Sequence, residues 1–156
     1  MSYWIKIIIF LALNFGALVI GSFFTGPGAS SEWYQSLNKA PWTPPGFVFG
    51  LAWFTIMLCF SFFMANITEE KQALALNTIL IAYALQWLFN VIWNPLFFKL
   101  QLPALALIDI SLLFLAVTYF VFIGFKHSIV NALLILPYFL WLVIAVSLNA
   151  FIVLMN

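Results

Sequence analysis

The stretch WYQSLNKAPWTPPGFVFGLAW, from Trp33 to Trp53, is the longest interruption in an otherwise apolar chain. It begins as a polar segment rich in Ser and Pro and ends inside an apolar run. Loops of this length without helical periodicity are usually either functional or disordered. Its aromatic residues indicate a packed loop, and we expect that loop to serve the apolar part of the chain on either side of it.

The composition indicates a membrane protein. The 156 residues are 67% hydrophobic and 6% charged, with a mean hydropathy of +1.18. A soluble domain of this size leaves roughly 30% of its unfolded surface exposed, so it could not hide this much apolar area. The net charge of +1 offers no basic patch for nucleic acid. The single cysteine, Cys59, excludes an internal disulfide framework.

Runs of about 20 apolar residues are long enough to cross the hydrocarbon core of a bilayer. The sequence predicts five, at residues 4–24, 46–65, 73–98, 102–125 and 129–155. The first run lacks an A-x-A cleavage site, so we interpret it as a retained helix. The last three links are short, which makes neighbouring helices antiparallel. We predict one all-α integral membrane domain over residues 1–156, a bundle of five transmembrane helices.

The long loop between the first two helices covers residues 25–45. Within it the sequence favours a short helix at Ser31–Asn38, begun by a Ser cap with Glu32 in the first turn. Trp33, Tyr34 and Trp42 are expected to pack against the bundle. The loop is therefore predicted to be structured.

Polar and aromatic side chains recur every three or four residues in three predicted helices, which places them on one face of each helix. They are Phe49, Trp53 and Met57 in the second run, Tyr83, Gln86, Asn90, Trp93, Asn94 and Phe97 in the third, and Tyr138, Trp141, Ala145, Leu148 and Asn149 in the fifth. One interpretation is that the amides join helices through hydrogen bonds worth about 0.6–2 kcal/mol each. The combination of amides with aromatics favours the other, the wall of a ligand cavity.

Other positions inside the runs have simpler interpretations. Asn14, Ala17 and Gly21 form a small-residue stripe that indicates close helix packing. Pro137 is expected to kink the fifth helix near its start. Asp109 is the only acid within a predicted run, and an intramembrane ionisable residue is by default a functional hypothesis. Because no mid-span Lys or Arg can pair with it, we interpret it as structural: protonated, capped by Tyr or Asn, or near a helix end.

Several kinds of catalytic chemistry are not indicated. One histidine, one cysteine and scattered acids do not make a metal-ligand cluster, and His127 is expected to be solvated in the link beside Lys126. The chain has no P-loop, no G-x-G-x-x-G and no G-x-S-x-G motif. Indole and phenol faces beside amides suit a flat, aromatic, largely apolar ligand.

Four segments together resemble one known family. They are WYQSLNKAPWTPPGFVFGLAW, YALQWLFNVIWNPLFF (Tyr83–Phe98), LALIDISLLFLAV (Leu105–Val117) and PYFLWLVIAVSLN (Pro137–Asn149). In this order they are similar to the TspO/MBR family of tryptophan-rich sensory proteins and translocator proteins, whose mitochondrial member was called the peripheral benzodiazepine receptor. The resemblance covers nearly the whole chain.

The resemblance implies a five-helix bundle, often a homodimer, with a cavity roofed by the first loop. It implies porphyrin or heme as the ligand and, in some members, sterols and isoquinoline or benzodiazepine drugs. It implies no required cofactor and no metal. With the stripes above, it gives the predicted ligand-binding residues Tyr34, Pro44, Pro45, Phe49, Trp53, Gln86, Asn90, Trp93, Asn94, Trp141, Ala145 and Leu148. The leading hypothesis is a membrane tetrapyrrole binder acting as sensor, sequestering agent or translocator.

Two alternatives remain open. Some bacterial members are reported to degrade protoporphyrin in light, and by the resemblance Trp53 and Trp141 would be the catalytic residues close to the ring. A small-molecule transporter would have Asp109 as its only coupling group, although neither inverted repeats nor broken-helix pairs are visible.

The family pattern also bears on sterols and location. The positions that match the Tyr and Arg of the vertebrate sterol motif are Ala150 and Leu154, which cannot form it, so tight cholesterol recognition is not predicted. The same difference, with no targeting signal visible, favours a multi-pass protein of the bacterial inner membrane.

Overall fold

The computed structural model describes residues 2–69 and 76–156, and within these ranges every regular element is a helix. In chain order the α-helices are α1 (Tyr3–Thr25), α2 (Glu32–Ser36), α3 (Gly46–Glu69), α4 (Leu76–Asn94), α5 (Pro103–His127) and α6 (Ile129–Met155), and a 3-10 turn, Gly28–Ser30, precedes α2. All but the short α2 are long and apolar enough to cross a membrane. The prediction of an all-α bundle with five spans is confirmed.

The helix ends agree with the predicted runs to within a few residues. The second run continues to Glu69, so the first part of the predicted link is helix. Because α5 extends to His127 and α6 begins at Ile129, the last link is Ser128 alone, and His127 is a half-buried helix residue instead of a solvated link residue. The start of the third predicted run and the end of the link before it lie at residues 70–75, outside the described residues.

The loop between α1 and α3 contains the predicted short helix. The Ser31 hydroxyl accepts a hydrogen bond from the Tyr34 amide at 3.2 Å, which caps α2. The helix ends at Ser36, earlier than predicted, and the Lys39 ammonium donates to the carbonyls of Tyr34 and Gln35 at 3.0 and 3.2 Å. A cation at this end satisfies carbonyls that lack a partner within the helix.

Proline ends α4. Pro95 has no amide hydrogen to donate, and a wider π-helical turn, Pro95–Lys99, replaces the α-helix there. The Leu100 amide donates to the Pro95 carbonyl at 2.8 Å, and Gln101 takes a left-handed backbone conformation with φ of 55° as the chain turns into α5. This turn places Phe97, which is buried, beneath the loop.

The five long helices form a closed ring in the order α1, α3, α6, α5, α4. Because neighbours in sequence run antiparallel, the last turns of α1 and α4 and the first turns of α3 and α5 lie at the loop end. The chain thus brings parts of all five spans to one level near the loop.

Near the middle of the ring, buried polar side chains join three helices. The Asn14 amide donates to the Ser61 hydroxyl at 2.9 Å, and the Tyr83 hydroxyl donates to Asn14 Oδ1 at 2.7 Å. Ala17 and Gly21 are buried on the same face of α1. This arrangement agrees with the packing interpretation of the first stripe.

At the end opposite the loop, a second polar cluster joins α1, α3 and α6. The Tyr3 hydroxyl donates to Asn66 at 2.7 Å, and Asn66 donates to Asn131 at 2.8 Å. Lys6 pairs with Glu69 at 2.7 Å. The apolar core lies between this cluster and the loop.

Candidate functional site

A cavity of about 170 Å³ lies inside the ring on the loop side. Every long helix contributes to its wall. The lining residues are Leu18, Ser22, Thr25, Phe49, Trp53, Asn90, Trp93, Asn94, Ile110, Leu113, Trp141 and Ala145. We call this space the inner cavity.

Most of the predicted site residues lie on this wall. From three different helices the structure brings together Phe49, Trp53, Asn90, Trp93, Asn94, Trp141 and Ala145. The first turns of α3, the last turns of α4 and the middle of α6 reach the same level because of the antiparallel order. The predicted stripes therefore converge on one space.

Four aromatic side chains line the cavity. The Phe49 and Trp141 rings meet edge to face at 5.1 Å between centroids, across the junction of α3 and α6. Trp93 stacks on Phe97 at 4.8 Å with an angle of 15° between the rings. Such contacts fix the orientation of the rings that line the space.

The floor of the cavity rests on a hydrogen-bonded triad, of which only Asn90 lines the space. Asn90 donates from Nδ2 to the Tyr138 hydroxyl at 2.9 Å, and that hydroxyl donates to Gln86 Oε1 at 2.8 Å. Gln86 lies one turn below Asn90, is almost completely buried, and does not line the cavity. For Gln86 the helix-joining interpretation of the stripe applies, whereas Asn90 both joins helices and faces the space.

Asn94 occupies a narrow site between α1 and α4. Its Oδ1 accepts a hydrogen bond from the Thr25 hydroxyl at 3.1 Å. A Cβ atom at Gly21 would lie 2.6 Å from Asn94 Nδ2, so only glycine allows the two helices this approach with Asn94 in place. The glycine of the first stripe therefore positions a cavity residue.

The loop forms the roof through edge-to-face and tilted contacts between aromatic rings. The Trp33 ring meets Phe97 edge to face at 5.4 Å, and the Tyr34 ring lies 6.2 Å from Phe97 and 5.9 Å from Phe98. Since Phe97 stacks on Trp93, Tyr34 is connected to the cavity wall through intervening rings and does not line it. Burial raises the pKa of the Tyr34 phenol above its ordinary value, so the ring is neutral at physiological pH.

The second half of the loop is fastened to the end of α6. Asn38 Nδ2 donates to the Met155 carbonyl at 3.0 Å, and the Asn38 amide donates to Asn156 Oδ1 at 2.9 Å. The Trp42 indole donates to the Ser147 hydroxyl at 3.1 Å. The prediction of a structured loop agrees with these contacts.

Three further predicted site residues lie away from the wall. Pro44 and Pro45 precede α3, where the Pro45 carbonyl accepts from the Val48 amide at 2.9 Å. Leu148 is buried but does not line the cavity. The prolines instead set the direction in which the chain enters α3.

Sequence reasoning missed the contributions of α1 and α5. Leu18, Ser22 and Thr25 recur at helical spacing beside the small-residue stripe, and two of them are hydroxyl residues that could have signalled a polar-facing surface. Ile110 and Leu113 carry no such signal, because an apolar residue in a membrane helix looks the same toward lipid and toward a cavity.

Asp109 lies in the second turn of α5 and is 6% exposed. Its Oδ2 atom is buried and has no hydrogen-bond partner among residues 2–69 and 76–156. It is near a helix end, one of the predicted alternatives, but the predicted cap by Tyr or Asn is not found within those ranges. It adjoins the cavity residue Ile110 in sequence without lining the cavity itself.

The site offers binding groups more than reactive ones. No group of three or more His, Cys, Asp or Glu side chains that could hold a metal occurs in the described ranges. The wall presents indole faces, two amides and two hydroxyls. Such a set can stack on a flat ring and hydrogen-bond its polar edge.

Comparison with known proteins gives a consistent result. The sequence profile of the TspO/MBR family matches residues 8–155. A tryptophan-rich sensory protein of Cereibacter sphaeroides is 37% identical over 123 residues, 76% of this chain and 73% of that protein. A tryptophan-rich protein TspO of Archaeoglobus fulgidus is 34% identical over 97% of this chain and 94% of its own length. The human translocator protein is 29% identical over 89% of this chain and 82% of its own.

Proposed function

This chain belongs to the TspO/MBR family and is an integral, multi-pass membrane protein, and on that premise we propose that it binds a tetrapyrrole, porphyrin or heme, in the inner cavity. By binding this ligand, the protein senses, sequesters or translocates the tetrapyrrole. Sterols and benzodiazepine- or isoquinoline-type compounds are further candidate ligands of the same space.

The observation that carries the proposal is the concentration of indoles around one buried space. Trp53, Trp93 and Trp141 come from three different helices and all face it. A flat macrocycle gains both buried apolar area and favourable ring contacts from such walls. Asn90 Oδ1, which accepts no hydrogen bond within the described ranges, supports recognition of a donor such as a pyrrole N–H.

The size of the cavity implies a change of shape on binding. Small-molecule sites usually measure roughly 300–1,000 Å³, and the inner cavity holds about 170 Å³. A macrocycle therefore needs the loop or the helices to move apart. A roof held by ring contacts and a few hydrogen bonds is suited to that movement.

The direct test is titration of the purified protein with protoporphyrin, with quenching of tryptophan emission as the measure of binding. Asn90→Ala removes the cavity amide without removing a fluorophore. Loss of a hydrogen bond worth about 0.5–1.5 kcal/mol raises Kd by about 2- to 10-fold. Asn66→Ala, which removes a half-buried, hydrogen-bonded amide at the opposite end of the bundle, is the matched control. Identical curves for Asn90→Ala and wild type would contradict the site.

A second candidate function is light- and oxygen-dependent degradation of the bound porphyrin. It is favoured by the position of Trp53 and Trp141 on the same wall. Photo-excited porphyrin can transfer energy to dioxygen or take an electron from an indole, with dioxygen as the final oxidant of the macrocycle. The test compares loss of the porphyrin absorbance band in wild type, Trp53→Phe and Trp141→Phe. Equal loss in all three leaves only photobleaching.

A transporter is the third candidate, and it is favoured by the buried Oδ2 atom of Asp109, which has no hydrogen-bond partner in the described part of the chain. An unpaired buried carboxyl can exchange a proton as its surroundings change. Porphyrin flux into liposomes that persists in Asp109→Asn would exclude coupling through this group.

Location and assembly complete the proposal. The identity to the Cereibacter protein, 37%, exceeds that to the human protein, 29%, which supports a place in a bacterial inner membrane. A homodimer is the proposed assembly. Membrane fractionation and the mass of the protein in detergent test the two statements separately.

A further inference from the structure

A second apolar space lies on the outside of the ring and shares one lining residue with the inner cavity. This outer groove, of about 370 Å³, runs along the junction of α3 and α6. Its lining residues are Val48, Leu51, Ala52, Thr55, Ile56, Pro137, Leu140, Trp141 and Ile144. Trp141 also lines the inner cavity, so this residue borders both spaces.

The groove faces the hydrocarbon of the bilayer. Leu51 and Leu140 on its rims are 62% and 53% exposed, and in a multi-pass protein that surface is covered by lipid. Thr55 carries the groove's only side-chain hydroxyl, which already donates to the Leu51 carbonyl at 2.9 Å. Water needs two to four polar partners to occupy a buried site, so this groove excludes it. An acyl chain is the occupant whose chemistry fits.

The Trp141 indole is held by packing alone. The Trp93 indole donates to Asn149 at 3.0 Å and the Trp42 indole to Ser147 at 3.1 Å. The Trp141 indole donates to no residue in the two described ranges, and its ring contact there is with Phe49. It can therefore turn without breaking a hydrogen bond.

The helix that carries Trp141 is weakened one turn earlier. Pro137 has no amide hydrogen, so the Leu133 carbonyl lacks the helical hydrogen bond that position 137 would otherwise give. On the other side of the junction, Ala52 lines the same groove as Trp141, and its small side chain fills little of the space there. Both features favour local separation of α3 and α6 at the level of Trp141.

We propose that the α3–α6 junction is a lateral opening through which an apolar ligand passes between the bilayer and the inner cavity, with Trp141 as its gate and a lipid acyl chain in the outer groove while the gate is shut. The inference rests on the proposed function, because it names the route by which the ligand reaches its site. Turning Trp141 aside joins the two spaces into one continuous path from the bilayer to the inner cavity.

The first experiment needs no ligand. The protein is placed in nanodiscs of phosphatidylcholine whose acyl chains carry bromine, which quenches an indole on contact. For the wild type and for each variant, tryptophan emission is measured with and without the additional substitution Trp141→Phe. The difference between the two values is the emission of Trp141. Because Trp141 is only 6% exposed, a chain must enter the groove to reach it. We expect most of this difference signal to be lost in brominated lipid.

Filling the groove should restore the signal. Ala52→Phe adds a ring inside the groove, whereas Gly50→Phe adds the same ring on the same helix at a position that lines neither space and has nothing within 4 Å of its Cβ. The proposal requires recovery in Ala52→Phe only. A Trp141 signal that brominated lipid leaves unchanged in the wild type, or recovery in both variants, overturns it.

The second experiment follows the rates of protoporphyrin binding in ordinary nanodiscs by stopped flow. A blocked route slows association and dissociation by the same factor, so Ala52→Phe should slow both severalfold at unchanged Kd, and Gly50→Phe should change neither. Trp42→Ala, which loosens the loop, reports entry over the roof. Faster association in Trp42→Ala with unchanged rates in Ala52→Phe overturns the lateral route.

The two proposals fail in different ways. Absence of saturable protoporphyrin binding by the wild type refutes the proposed function, and a lateral opening for that ligand falls with it, whatever the lipid result. Saturable binding with rates insensitive to Ala52→Phe refutes the opening alone.

Discussion

Gly21 is the position where the smallest chemical change should have the most specific effect. In Gly21→Ala the new methyl group meets Asn94 Nδ2 at 2.6 Å, so the amide must rotate away from α1. The rotation breaks its hydrogen bond with Thr25, an interhelical bond worth about 0.6–2 kcal/mol in a membrane protein. Alanine also favours the helix by about 0.8–1.0 kcal/mol, which offsets part of the loss.

Gly16→Ala separates the two contributions. Gly16 lies on the same helix with nothing within 4 Å of a Cβ, so its substitution carries the helix-propensity gain alone. We expect Gly21→Ala to be less stable than Gly16→Ala by about 0.6–2 kcal/mol. At about 2–4 °C per kcal/mol for a chain of this size, the difference in Tm is about 1–8 °C. Thermal unfolding in detergent, followed by circular dichroism, measures it.

A double-mutant cycle with Asn94→Ala identifies the cause. Once the amide is gone, the two atoms of residue 94 nearest to the new methyl group are absent, and its Cβ lies at 3.9 Å, an ordinary contact. In the Asn94→Ala background, Gly21→Ala should then have the same effect on Tm as Gly16→Ala. If Gly21→Ala lowers Tm equally with and without the Asn94 amide, the clash assigned to that amide is wrong.

Three more substitutions test the floor, the roof and the loop fastening. Tyr138→Phe removes the hydroxyl that joins two buried amides and should destabilise the bundle by about 1–3 kcal/mol; an unchanged Tm would show that the triad contributes no stability. Tyr34→Ala should weaken protoporphyrin binding with unchanged helical circular dichroism, while Glu32→Ala on the same short helix does neither; an aggregated Tyr34→Ala protein would make the loop mainly structural. Asn38→Ala removes a hydrogen bond of about 1 kcal/mol and should speed tryptic cleavage at Lys39 roughly fivefold, and an unaltered rate would mean that this bond does not hold the loop.

The spans were predictable because bilayer thickness fixes their length. Polar residues in such a span are rare enough that Asn90 and Asn94 could be selected as site residues from the sequence, and both lie on the cavity wall. The cap at Ser31 was equally predictable from the sequence, since only a few side chains can accept hydrogen bonds from the first amides of a helix.

The sequence could not predict which residues of one helix face lie at the level of the cavity. Gln86 and Asn90 share a face and differ by about one turn, yet the Tyr138 hydroxyl lies between them and only Asn90 reaches the cavity. The order of helices in the ring could not be predicted either, because apolar residues cover both the lipid-facing sides and most of the packed sides of these helices. For that reason the contributions of Ile110 and Leu113 could not be inferred.

The floor triad has a consequence for how the protein is made. Asn90 and its partner Tyr138 are separated by 48 residues. At synthesis rates of about 5–20 residues per second, roughly 2–10 s pass between their appearance. During that delay the amides of α4 have entered the membrane without their permanent partner. We expect a nascent chain that stalls before α6 to be the form that membrane quality control recognises, because its exposed amides mark it as incomplete.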